Sequence, residues 1–368
     1  MPTEVTFDLP YSQWNWQIGV YIALIGIASG AYLTGYVADL LASRRDARGH
    51  GDVAKYGYLA GLLGLAIGPP ILLSHLATPF RAMLVPLTMT NFDSWMTIGA
   101  YLLGGLGLGA FLMFAWVAFG RNRPHAPDRT GSGTVVADGG TERGPARAAT
   151  SDANGGLRGV ADRVGLLDLV DSIADATRPS ETVRLAIGGV FSLAAAGVLI
   201  YSAMAYGSGM TERVPLWDKT FLLPLQIFGG LGVGLAAAVG LAALANRNPG
   251  RAVQQYSLAV AGLLAAALAM VVATVTLLPE QLPAAEPAVE NLLTTYATLF
   301  VGVAVIGGLV VPILLSVGAV VGQRRGALSP TAATASYVTV ALLAVVGKVA
   351  LALTYLLAAE FEPLILPL

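Results

Sequence analysis

The chain has no cysteine and only three histidines in 368 residues. Without cysteine it can hold no Cys-ligated iron–sulfur cluster and form no disulfide. A haem held in the bilayer by two histidines needs both at depth. Of His50, His75 and His125, only His75 borders an apolar run at an outer end. Charge is equally scarce. Asp, Glu, Lys and Arg make up 12% of the chain, about half the roughly 25% of a soluble domain. The formal net charge of −1 leaves no basic surface excess of the kind nucleic acid needs. No cleavable signal peptide is expected after Met1-Pro2-Thr3.

What fills the chain instead is apolar sequence: 55% hydrophobic residues, with a mean hydropathy of +0.70. About 20 consecutive apolar residues carry a helix across a bilayer. Eight such stretches are predicted: residues 16–42, 56–76, 94–119, 182–204, 219–245, 254–278, 291–321 and 332–359. The expected fold is an all-α integral membrane protein of eight transmembrane helices. The helices are expected to pack as two four-helix halves; the long cytoplasmic linker, residues 120–181, is expected to follow helices 1–3 (residues 1–119) and precede helices 4–8 (residues 182–368).

Basic residues give the orientation. Arg44, Arg45, Arg48 and Lys55 lie in the first gap, Arg247 and Arg251 in the fifth, and Arg324 and Arg325 in the seventh. The even gaps hold only Arg81, Arg213 and Lys219. The positive-inside rule puts the odd gaps in the cytoplasm and both termini outside. The expected location is the plasma membrane of a prokaryote, multi-pass, with both termini extracytoplasmic. In the third gap, Arg121–Gly156 reads as disordered from its Gly, Pro and charge content. Val160, Val164, Leu167, Val170 and Ala174 recur at helical spacing and predict an amphipathic interfacial helix or, equally, a solvated linker. Gly104-Gly105-Leu106-Gly107-Leu108-Gly109 lies inside a span, so close helix packing explains it better than phosphate binding.

Within the first span, Gly19, Ala23, Gly26 and Gly30 form a small-residue stripe for a close neighbour. Gln17 and Tyr21, one turn apart, share the opposite face. An interfacial aromatic belt accounts for Trp14 and Trp16, but less well for Gln17, whose amide needs partners. His75 ends the second span, Pro79 stops the helix, and Ser94-Trp95 opens the third. These residues read either as a hydrogen-bonding aromatic pocket or as capped helix ends with interfacial anchors. Three ionisable residues lie within or beside spans: Lys348, Asp39 and Asp93. A mid-bilayer lysine costs roughly 2.5–3.5 kcal/mol and belongs against protein or a wet cavity. Asp39 reads most simply as an interfacial residue. Lys348 and Asp39 are the candidates for a proton path.

The chain resembles the membrane-anchor subunits of the polysulfide reductase and NrfD family, relatives of the dimethyl-sulfoxide reductase anchors. The resemblance rests on several short runs in order. They are Trp14-Asn15-Trp16 leading into Gly26-Ile27-Ala28-Ser29-Gly30, His75-Leu76-Ala77-Thr78-Pro79-Phe80-Arg81, Ser94-Trp95-Met96-Thr97-Ile98-Gly99, Tyr201-Ser202-Ala203 and Pro215-Leu216-Trp217 with Leu223-Pro224-Leu225. It implies a subunit that binds menaquinone or ubiquinone non-covalently, holds no haem and is not catalytic alone. The implied partners are an extracytoplasmic iron–sulfur subunit and a molybdopterin catalytic subunit. The implied quinone-binding residues are Gln17, Tyr21, His75, Trp95 and Tyr201. No catalytic or metal-ligating residue is expected in the chain itself. The competing classes are a secondary transporter, to which Lys348 and the Gly/Pro-broken spans are also suited, and a proton-translocating membrane subunit.

Overall fold

The structure is a computed structural model. It describes residues 16–45, 48–76, 91–119, 176–206, 214–246 and 250–360, with Leu84, Thr88 and Ala174 as isolated positions. The disordered and most of the amphipathic stretch expected in the linker lie outside the described residues. In chain order the helices are α1 (Trp16–Arg45), α2 (Arg48–His75), α3 (Trp95–Ala118), α4 (Glu181–Met204), α5 (Lys219–Asn246), α6 (Arg251–Gln281), the short α7 (Glu286–Leu293), α8 (Val311–Arg324) and α9 (Pro330–Leu357). A π-helical segment, Thr298–Val310, runs directly into α8. Eight of these stretches are long and apolar enough to cross a membrane, the seventh being the π segment with α8. This is a multi-pass membrane protein. In lipid the backbone must satisfy its own hydrogen bonds, and helices do so within one segment.

The apolar runs set the helices, and local chemistry ends them. α8 stops where Gly326 takes a left-handed backbone (φ 68°), which an L side chain rarely adopts. α9 starts at Ser329, whose Oγ accepts the Ala332 N–H at 3.2 Å, with Pro330 at the first helical position. α2 begins eight residues earlier than its apolar run, with His50 in its first turn. The sequence reading put His50 in a cytoplasmic gap. It is instead buried, its Nδ1 2.7 Å from the Tyr256 hydroxyl on α6.

The described residues fall into two compact units, 1–113 with 181–368, and 114–180. In the smaller unit the Trp116 indole N–H donates to Thr177 Oγ1 at 3.2 Å, and Phe114 meets Phe119 edge-on. In the larger unit, spans from both sides of the linker pack together, and α1 is its central element. It lies against α2, α4, α5 and α9. Glycine makes this possible. A Cβ at Gly30 would run into the Gly230 carbonyl of α5, and one at Gly234 into the backbone of Gly30 and Ala31. Gly19, on the same stripe of α1, lies against Leu353 of α9. On another face of α1, Gly57 of α2 would carry a Cβ to 2.7 Å from the Gly35 Cα, and Gly61 and Gly64 lie near the Ala28 and Leu24 carbonyls. Van der Waals contact between backbones at this range is a main attraction available to helices in lipid.

Candidate functional site

The polar interior is concentrated at two ends of the bundle. α1 and α3 start at one end, and α2 and α4 finish there. This is the outer end if the basic gaps face the cytoplasm. Tyr21 lies five residues into α1, about 7 Å along its axis. Tyr201 lies three residues before the end of α4, on the same side. Both rings are buried, and their side chains lie within interaction range of each other. The Tyr201 ring lies over Gly99 of α3, where a Cβ would stand 2.7 Å from its Cδ2. Glycine at 99 is therefore the notch that admits the ring. Trp95, half-buried, opens α3 one turn before that notch. Gln17 lies one turn outward from Tyr21, and its Oε1 is enclosed with no hydrogen-bond partner.

The structure thus brings Tyr21 and Tyr201 together, with Gln17 and Trp95 each one turn away. His75 is the last residue of α2, and its side chain lies outside the described residues. Its backbone position is known from packing. Gly68 of α2 lies near the Tyr21 carbonyl, and His75 is two turns further outward on this antiparallel helix.

On the opposite side of α1, facing α5 and α9, lies Lys348. It is 4% exposed, and its Nζ donates to Gln226 Oε1 of α5 at 2.6 Å. Gly26 and Gly229 leave room for the lysine chain: a Cβ at 229 would come within 3.1 Å of Nζ. Lys348 and Gln226 line a cavity with Tyr206, Tyr355, Leu222, Leu225, Leu351 and Ala352. It has room for about one water. Its outward wall is aromatic. Trp217 packs edge-to-face on Tyr206 and donates its indole N–H to the Tyr355 carbonyl at 2.8 Å. Burial pushes the Tyr206 hydroxyl well above the ordinary tyrosine range, so it stays protonated.

At the other end Asp39 is buried rather than interfacial, which corrects the sequence reading. Its carboxylate takes both guanidinium nitrogens of Arg184 on α4, Nη2 at 2.9 Å and Nη1 in close contact. The Tyr58 hydroxyl of α2 donates to the same carboxylate at 3.2 Å. Tyr32 and Tyr36 of α1 hold the backbone of α4 beside it, through the carbonyls of Gly188 and Leu185. Arg184 was not singled out from the sequence because it stands three residues inside the start of α4, where it passes for a flanking cation. Gln226 and Tyr355 were missed as well. The one signal for Gln226 was an amide in an otherwise apolar span. Among the described residues no group of three or more His, Asp or Glu could hold a metal ion.

Eight apolar spans with hydrogen-bonded polar groups buried at both ends define an integral membrane protein with a polar interior. The polysulphide reductase, NrfD family matches residues 4–356, and the chain belongs to this family. That membership marks a membrane-anchor subunit of a redox complex. No curated protein matches the chain.

Proposed function

We propose that this chain is the quinone-binding anchor of a molybdopterin oxidoreductase complex, exchanging electrons between a membrane menaquinone or ubiquinone and an extracytoplasmic iron–sulfur subunit. One observation supports it most: a buried pair of tyrosine hydroxyls with an unpartnered amide oxygen one turn outward. A quinone headgroup carries two oxygens that accept hydrogen bonds when oxidised and donate them when reduced. Tyr21 and Tyr201 can donate to the first form. Gln17 Oε1 is an acceptor suited to the second, and an enclosed acceptor left unpaired costs about 1–3 kcal/mol. Trp95 offers an indole face to a flat ring. His75, at the same end of the bundle, is the member able to take up or release a proton near neutral pH.

A quinol gives up two electrons and two protons when oxidised. This chain holds no cysteine-bound cluster, so the electrons leave through a partner. The residues above hold the headgroup and its protons near the outer surface, where a soluble subunit can dock. In this reading Lys348 exchanges protons for that chemistry. Asp39, fully engaged by Arg184 and Tyr58, anchors the inner end.

The test is quinol kinetics on the assembled complex. Tyr201→Phe keeps the ring over Gly99 and removes one hydroxyl. Loss of one hydrogen bond of about 1 kcal/mol should weaken apparent quinol affinity about fivefold. His75→Ala should lower quinol-coupled turnover while assembly is preserved. Unaltered kinetics in both assembled variants would remove the site from this end of the bundle.

A further inference from the structure

Between the Lys348–Gln226 pair and the Asp39–Arg184 pair, the seam of α1, α5 and α9 carries apolar side chains; the buried Ser257 and Ser316 lie off it, between α6 and α8. Lys348 and Gln226 lie level with Gly26 of α1 and Gly229 of α5. One turn inward, Gly30 and Gly234 bring the backbones of α1 and α5 into contact, leaving no gap for water. On the far side of Lys348, Gly347 meets Gly308 of the π segment just as closely. Further inward the facing side chains are Val233, Ala236, Val239, Ala344 and Val340, all buried. The next buried ionisable group of the inner set along α1 is Asp39, about 13 Å beyond Gly30, with the Tyr32 hydroxyl between them turned to the Gly188 carbonyl of α4. In the outward direction the lining is in part polar and aromatic. The phenols of Tyr355 on α9 and Tyr206, which stands past the end of α4, lie there among Leu222, Leu225, Leu351 and Ala352.

The amine has unused capacity. It can donate three hydrogen bonds, and its bond to Gln226 uses one. The groups facing it are the Gln226 amide from α5 and the Tyr206 and Tyr355 phenols. α1 and the π segment present glycine backbone. The ion pair of the bundle lies at the other end, so no carboxylate neutralises Lys348 among the described residues. A cavity of one-water size beside an incompletely bonded amine suits an enclosed water, which needs two to four polar partners.

We propose that Lys348, Gln226 and one enclosed water form a proton-holding station that exchanges with the outer face only, sealed from the cytoplasm by the glycine contact between α1 and α5. In its neutral form the amine takes a proton onto its lone pair from the cavity water as that water receives one from the outward side, and the ammonium returns it by the reverse relay. Only N–H and O–H bonds change, and no electron moves. The idea deepens the quinone-linked reading above, but water access to the station does not depend on turnover, so the two fail separately.

The absence of cysteine makes the test clean, since Lys348→Cys introduces the single thiol of the full chain. The variant is placed in intact cells and, separately, in inside-out membrane vesicles. Silver ion, close to water in size, is added, and surviving thiol is then alkylated with a maleimide after denaturation. The expected result is loss of maleimide labelling when silver is added from the outer side, and full labelling when it is added from the cytoplasmic side. Protection from the cytoplasmic side, or from neither side, overturns the proposal. Should Lys348→Cys not accumulate, Gln226→Cys lines the same cavity and is judged by the same two outcomes.

Discussion

Replacing Asp39 with leucine should be among the most damaging single changes in the bundle. It leaves the Arg184 guanidinium at 8% side-chain exposure with no counter-charge. It also strands the Tyr58 hydroxyl, which donates to the same carboxylate. Breaking a buried pair by removing one partner costs about 3–5 kcal/mol, because the remaining charge stays desolvated. That is a shift of roughly two-hundredfold to several-thousandfold in the folding equilibrium. Arg184→Met alone should cost less, since the carboxylate keeps the Tyr58 hydroxyl as a donor. The double variant Asp39→Leu with Arg184→Met removes both charges and should recover most of the loss, as apolar replacements of buried pairs generally do. The assay is reversible unfolding of the purified protein in mixed micelles, with the four proteins compared as a double-mutant cycle. Undiminished stability in Asp39→Leu would refute the reasoning. So would a double variant whose loss is the sum of the two singles, since the groups would then not be coupled.

The α1–α5 contact should not tolerate bulk: Gly30→Leu meets the Gly230 carbonyl and should abolish accumulation of folded protein in membranes. Gly104→Ala and Gly107→Ala on α3 meet nothing within 4 Å and should be neutral or slightly stabilising by thermal unfolding. The orientation is checked by Asn248→Cys in the fifth gap, which should resist impermeant thiol reagents in intact cells; ready labelling there would invert the topology.

Much of the architecture was legible because lipid allows so few solutions. Seven of the eight apolar runs correspond to single helices, with ends shifted by a few residues at most sites. The seventh run is a span as expected, but it starts at Thr298 and its first half is π-helical; hydropathy has no term for hydrogen-bond register, and Thr298–Val310 is as apolar in π as in α geometry. α2 began early because Gly49 fits against Ala252 and His50 finds Tyr256, contacts that depend on a helix two hundred residues away. The glycine stripe on α1 was visible in its period, and its partner on α5 was not. Of the site residues, Gln17 and Tyr21 could be paired from their spacing alone. Tyr201 joined them only through resemblance, because nothing local to α4 says that Gly99 will make space for a ring. Asp39 was misread for a related reason. A carboxylate near a span end looks interfacial until its arginine, on a helix far along the chain, is seen to reach it.

The central position of α1 has a consequence for biogenesis. It is the first span of this chain to be synthesised, yet its faces are covered by α2, α4, α5 and α9, several of which do not yet exist when it leaves the ribosome. Asp39 and Arg184 are 145 residues apart. At about 5–20 residues per second, the carboxylate waits roughly 7–30 s for its cation. During that interval α1 is a helix with an acid lacking its cation, three tyrosines lacking their α4 partners and a naked glycine stripe, poorly suited to lipid. A cell making this protein must hold that helix at the insertion machinery or beside another membrane protein until α4 and α5 arrive. Chains truncated before Glu181 should be recognised there as unfinished and degraded, however well their own three spans have inserted.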